Sequence, residues 1–306
     1  MARRRGIPVD GVLLLDKAQD VSSNHALQQV RRLYEAKKAG HTGTLDPMAT
    51  GLLPICFGEA TKFSAYLLDA DKTYRTRVRL GETTDTGDAE GTVIECHTVP
   101  ALAEHDIEAV LAQFRGDIEQ VPPMYSALKH QGRPLYELAR EGKQVERAAR
   151  RVRVYDMRLL SCEAEGFELE VRCSKGTYIR TLAEDIGRTL GCGAHIMSLR
   201  RLHSGPFDAE AMQDFAALEQ MDEASRQARL LPVDAMLPHV PSLEVAAIES
   251  RRLLHGQRAR VETGALTPDE TARLYHDGTF LGLVSVTTPG EVTPQRLRNT
   301  ASPVCE

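Results

Sequence analysis

Fourteen residues hold an unusual density of small and reactive groups: Gly40-His41-Thr42-Gly43-Thr44-Leu45-Asp46-Pro47-Met48-Ala49-Thr50-Gly51-Leu52-Leu53. The glycines permit positive φ and close approach of a ligand. Pro47 fixes the chain after Asp46 and suits the first position of a helix whose N-terminus would face the carboxylate and favour its charge. A carboxylate held in that way can act as a nucleophile or a base. The same loop also suits a plain turn, with Asp46 as its former and His41 bonded to its own backbone. Residue types alone leave both readings open.

The elements that must hold this loop are legible on either side of it. Gly11-Val12-Leu13-Leu14-Leu15 reads as a buried strand, and Ser22-Ser23-Asn24 caps a helix with Leu27, Val30 and Leu33/Tyr34 on one face. Tyr74 to Leu80 alternates Tyr74, Thr76, Val78 and Leu80 with Arg75, Arg77 and Arg79, and Phe167 to Cys173 alternates in the same way. After Tyr178, a helix presents Leu182, Ile186 and Leu190 and stops at Gly191. Strands and helices do not alternate regularly, so the expected class is α+β, with a mixed or antiparallel sheet flanked by helices.

Residues 121–151 combine Pro122-Pro123, Gly132 and Pro134 with a run of Arg and Lys, which reads as a protruding, mobile, basic insertion able to close over a polyanion. Pro232, Pro238 and Pro241 mark a linker, and Asp277-Gly278 signals a hairpin in a small all-β tail. The expected division is 1–248 and 249–306.

The net charge of -5 conceals strong asymmetry. Residues 129–158 carry nine Lys/Arg against four Asp/Glu, whereas 82–119 carry ten acidic groups against Arg115 alone. An acidic protein with basic faces can still track phosphates. No apolar run suits a membrane span, and Met1 to Arg5 opens no signal peptide, so a cytoplasmic protein is expected. Six cysteines, the last at Cys305, form no C-x-x-C pair, which suggests neither a zinc site nor a disulfide framework.

The string GHTGTLDPMATGLLPICFGEATKF closely resembles the signature of the bacterial TruB family of tRNA pseudouridine synthases. The resemblance extends to GVLLLDK at 11–17, DKTYRTRVRLGETTDTGDAEG at 71–91, FRGDIEQVPPMYSALKHQGRPLYELAR at 114–140, CSKGTYIRTLAEDIG at 173–187 and LGCGAHIMSLRR at 190–201. It implies a pseudouridine-synthase fold followed by a PUA-like domain, and isomerisation of the uridine at tRNA position fifty-five.

By the same resemblance Asp46 is the essential aspartate, Tyr74 stacks on the target base, and Tyr178 and Arg180 lie beside the aspartate, Arg180 as its ion-pair partner. Leu199 lines the uracil pocket, His41 replaces the flipped base in the RNA stack, and Lys17 supports the site. No metal or cofactor is implied. The partner is tRNA, through its T arm and, at the tail, its acceptor side; a monomer needing no obligate protein partner is expected. Where the family usually has Pro and Gly after the lysine of its first motif, this chain has Ala18 and Asp20, so a less rigid turn is expected there.

Two rivals remain at this level. A non-catalytic tRNA chaperone would use the same basic surface without needing Asp46, Tyr74 and Arg180 together. A guide-RNA-dependent synthase is disfavoured by the basic insertion and by the lack of extended basic tails. Asp85-Thr86-Gly87 has the aspartic-protease triplet but lies in a run of turn residues without the apolar lead-in of that motif.

Overall fold

A computed structural model describes residues 6–299; the expectations for Met1 to Arg5 and Cys305 lie outside them. The central sheet runs in the order Gln213–Asp214, Gly11–Lys17, Thr50–Phe57, Ala194–Ser204, Lys72–Leu80, Gly166–Cys173, Arg150–Glu163, Gly116–Gln120. Two of its pairings, Gly11–Lys17 with Gln213–Asp214 and Thr50–Phe57 with Ala194–Ser204, are parallel, and the others along that order are antiparallel. The sheet is therefore mixed.

Strand Gly11–Lys17 is apolar without alternation because both of its faces are covered. Leu13 and Leu15 enter one core with Leu27, Val30, Ile55, Leu182 and Ile186, while Val12 and Leu14 enter a second with Leu52, Phe63, Phe280 and Leu283. Helix Ser23–Leu33 begins where Ser22 accepts the His25 N–H at 3.2 Å. Helix Ile179–Thr189 buries Leu182, Ala183 and Ile186, and Gly191 follows it at φ 82°.

The tail forms a second sheet, Ser242–Glu244, Thr271–His276, Thr279–Thr288, Glu291–Leu297, Ala259–Arg260, accompanied by helix Ala247–Leu254. Asp277 and Gly278 turn its hairpin with φ of 48° and 69°. The division expected at 248 falls inside that helix. Ser242–Glu244 already belongs to the second sheet through its parallel pairing with Arg273–Tyr275. The proline-marked linker is not a free tether either: Val233, Met236, Leu237 and Val240 are buried in the second core, between the central sheet and Phe280 and Leu283 of the tail. Among the described residues, no helix is long and apolar enough to cross a membrane.

Residues 121–151 are organised rather than loose. They contain a hairpin at Lys129–His130 and Arg133–Pro134, then helix Leu135–Arg140 with Leu135 and Leu138 buried. Arg147 Nη1 donates to Pro122 O at 3.0 Å and ties the ends of the segment together.

Candidate active site

The loop after His41 is fixed by its neighbours. Gly43 turns it at φ 87°, and the buried hydroxyl of Ser23 grips Leu45 twice, donating to its carbonyl at 2.9 Å and accepting its N–H at 2.8 Å. Asp46 to Ala49 forms a turn closed by the Ala49 N–H on Asp46 O at 3.1 Å. The helix expected to start at Pro47 does not form. Thr50–Phe57 is drawn into the sheet between Gly11–Lys17 and Ala194–Ser204, so the chain must be extended there.

The charge facing Asp46 therefore comes from Arg180, in the first turn of helix Ile179–Thr189, rather than from a helix terminus. Arg180 Nη2 lies 2.9 Å from Asp46 Oδ2, and its Nη1 lies 3.6 Å from Asp88 Oδ2. The same nitrogens donate to Thr86 O at 2.8 Å and Tyr125 O at 2.6 Å. A guanidinium offers a planar fork of donors, and here it binds two carboxylates, the Asp85-Thr86-Gly87 turn and the basic insertion to one helix. Asp88 is itself held by Thr86 Oγ1 at 2.6 Å and the Glu90 N–H at 3.1 Å.

Burial is the largest influence on Asp46 and pushes its carboxyl above the ordinary range; Arg180 opposes the push and Asp88 adds to it. The helix end expected to favour the Asp46 charge is absent, while Arg180, the expected ion-pair partner, does favour the charge but is outweighed by burial. A third of the Asp46 side-chain surface stays open, enough for a substrate atom to reach it.

Lys17 is 1% exposed, and its ammonium donates to Ala18 O, Val21 O and Pro47 O at 2.8, 2.6 and 3.1 Å. Burial lowers it to about 8, with Asp46 the foremost opposing charge. Lys17 thus braces the Asp46-Pro47 turn from behind. Asp20 adopts φ 62°, a conformation natural to glycine, and its N–H still bonds Pro47 O at 2.9 Å. The turn expected to be less rigid keeps its anchor.

Burial raises both the Tyr74 and the Tyr178 phenols, and the Asp46 charge adds to the rise in each. Gln120 fixes Tyr178 by its backbone, accepting its N–H at 3.0 Å and donating to its carbonyl at 3.1 Å. Leu199 is buried opposite Thr76, one strand over from Tyr74. The His41 imidazole is lowered by burial and by Arg201, and its Nδ1 is buried without a partner among the described residues. Arg180 and Lys17 meet at the Asp46-Pro47 turn, Tyr74 and Tyr178 both feel the Asp46 charge, Leu199 lies on the strand beside Tyr74, and His41 shares the influence of Arg201 with Tyr74.

Sequence reasoning missed Asp88, Ser23, Gln120 and Arg201. Asp88 looked like one more turn residue, and nothing in Ser23 or Gln120 marks them as clasps. Conversely, the arginine face is neutralised: Arg75 pairs with Glu168 at 2.6 Å, Arg77 with Glu163 at 2.6 Å and Arg79 with Glu82 at 3.2 Å. A cleft of about 780 Å³ separates the insertion, including Lys143 and Arg147, from Glu184 and Arg188 of the Arg180 helix.

Comparison with known proteins agrees along the chain. Residues 31–179 match the profile of the TruB family pseudouridylate synthase N-terminal domain, 180–238 that of the tRNA pseudouridylate synthase B C-terminal domain, and 241–297 that of pseudouridine synthase II TruB, C-terminal. The tRNA pseudouridine synthase B of Chromohalobacter salexigens is 81% identical over 300 residues, covering 98% of each chain. That of Azoarcus sp. is 53% identical, covering 96% of this chain and 97% of its own. A crystal structure of a Cbf5-Nop10-Gar1 complex is similar with a TM-score of 0.70 at 26% identity, covering 92% of this chain and 79% of that one.

Proposed function

The chain belongs to the TruB family of pseudouridylate synthases, and from that membership we propose that it converts uridine to pseudouridine at position fifty-five in the T arm of tRNA, with Asp46 as the catalytic carboxylate. The observation that carries this reading is the 2.9 Å pairing of Asp46 with a buried arginine beside two tyrosines.

The isomerisation breaks the C1′–N1 bond, turns the uracil and joins C5 to C1′; the proton leaving C5 is balanced by one gained at N1. Asp46 serves it by attacking C1′ or by taking the C2′ proton, and both routes need an oriented anion. Arg180 provides the orientation. A base inside a folded arm must first leave its stack. Tyr74 supplies a flat face for the extruded uracil, Leu199 an apolar wall, Tyr178 the opposite side, and His41 fills the vacated place in the RNA.

The insertion, held to Arg180 through Tyr125 O, lies over the T arm, and the tail reaches the acceptor side. The protein acts as a monomer in the cytoplasm, without cofactor or guide RNA.

Incubating the purified chain with an unmodified tRNA transcript and mapping pseudouridine by carbodiimide-dependent primer-extension stops tests this. A single stop at position fifty-five is expected. Modification only elsewhere, or none, would refute the reading.

A further inference from the structure

Arg201 is the largest fully buried side chain among the described residues, 1% exposed, and no carboxylate lies within ion-pair distance of it there. Its Nε donates to Leu52 O at 2.7 Å and its Nη2 to Gly43 O at 3.1 Å. On the adjoining strand it stands directly opposite Tyr74, so the two side chains share one face of the sheet. The loop is moulded around it. A Cβ at Gly43 would lie 3.4 Å from Nη1, and one at Gly51, which has φ 97°, would meet Arg201 O at 2.4 Å.

A buried cation without a counter-ion is costly, on the order of several kcal/mol. Fastening two carbonyls does not require that charge; a neutral donor would do it. The polar group that faces Arg201 across the strand pair is the Tyr74 phenol, and Arg201 is the neighbour that most opposes the rise burial imposes on that phenol. A guanidinium only donates, so toward Arg201 the phenol oxygen that faces it across the strand pair can act only as an acceptor, and its own hydrogen stays available to another partner.

We propose that Arg201 is a positioning residue that locks the Tyr74 phenol to the Gly43 turn, so that the stacking face and the loop carrying His41 and Asp46 form one rigid wall of the base pocket. This rests on the function proposed above. In that role Arg201 touches no substrate atom and acts through Tyr74.

A double-mutant cycle tests it. Single-turnover tritium release from 5-tritiated uridine in tRNA, tRNA affinity and unfolding temperature are measured for wild type, Arg201→Met, Arg201→Lys, Tyr74→Phe and the double variant Arg201→Met with Tyr74→Phe. Arg201→Met is expected to slow the step roughly 10–100-fold with tRNA affinity within about 3-fold, and Arg201→Lys to recover part of the rate. In the Tyr74→Phe background the same change should cost no more than about 3-fold, because the phenol it acts through is gone. Equal effects in both backgrounds, or full activity of Arg201→Met, would overturn the inference while leaving the function intact. If Arg201→Met does not fold, the cycle is run with Arg201→Lys, where additivity would have the same meaning. A wild type that releases no tritium would sink the function and this inference together.

Discussion

Arg200 and Arg201 are neighbours on one strand, yet they belong to different regions of electrostatics. Arg200 points to the open face of the sheet, where it pairs with Asp16 at 2.7 Å and its side chain is 40% exposed. There it joins Arg75, Arg77 and Arg158, which pair with Glu168, Glu163 and Glu170. Arg201 points the other way and is sealed beneath the site with Arg180, Lys17 and Asp88. On the open face water screens every pair, and each contributes about 0–1 kcal/mol. On the closed face each charge has lost its water and relies on named carbonyls or carboxylates, so removing one partner leaves another exposed to the full desolvation penalty. The same residue type is screened by water in one region and desolvated in the other.

Breaking the closed face should have the largest effect. Arg180→Met strips the common partner from Asp46 and Asp88 and orphans Thr86 O and Tyr125 O. It is expected to cost about 3–5 kcal/mol of stability in denaturant titrations and to slow pseudouridine formation by roughly 100-fold or more. A loss under about 1 kcal/mol would erase the distinction between the two regions.

Next comes Asp88→Asn, which keeps the hydrogen bonds from Thr86 Oγ1 and the Glu90 N–H within reach of a side-chain oxygen but removes one charge from Arg180. A roughly 10-fold fall in single-turnover rate with little change in tRNA affinity is expected. An unchanged rate would show that the Asp46 pairing alone orients Arg180.

The two regions should also respond to pH with opposite signs. The Asp46 pKa is raised in the folded state, so its contribution to stability is complete below the unfolded value of 3.8 and is lost as pH rises through the raised one. Burial opposes ionisation of this group, so Asp46→Asn, which cannot ionise, should unfold at the same or a higher temperature than wild type at pH values above the ordinary aspartate range. The acid limb of the rate profile should lie above the ordinary aspartate range. Glu168 is lowered by its hydrogen bond to Arg75, so it contributes stability above the unfolded value that is lost as pH falls through the lowered one. Because that pair is solvated, Glu168→Gln should cost no more than about 1 kcal/mol at neutral pH and leave the rate unchanged. Thermal melts of both variants from pH 3 to pH 8 would show whether the signs differ.

The regions also differ in how much could be read before the structure. The Tyr74 to Leu80 alternation, the Ser22 cap, the Gly191 stop and the Asp277-Gly278 hairpin are local, and each formed where its residues indicate. Pro47 misled because the pull of an apolar strand into a sheet outweighs a favourable first helical position. The segment from Pro232 to Val240 misled because its prolines say nothing of the apolar groove its other residues fill. Arg201 could not be distinguished from Arg200 in a string of residues: only the pleat decides which of the two is buried, and the pleat is set by pairing with the Tyr74 strand. Asp88 was invisible for a related reason, since its partner is ninety-two positions away in sequence.

The most direct test of Asp46 as the carboxylate of a base-isomerising site is tritium release from tRNA labelled at C5 of its uridines, comparing wild type with Asp46→Asn. Wild type should release label from one uridine per tRNA, and the variant at least about 1,000-fold more slowly while binding tRNA within about 3-fold of wild type. Undiminished release by Asp46→Asn would contradict the assignment of that residue, and no release by wild type would contradict the function itself.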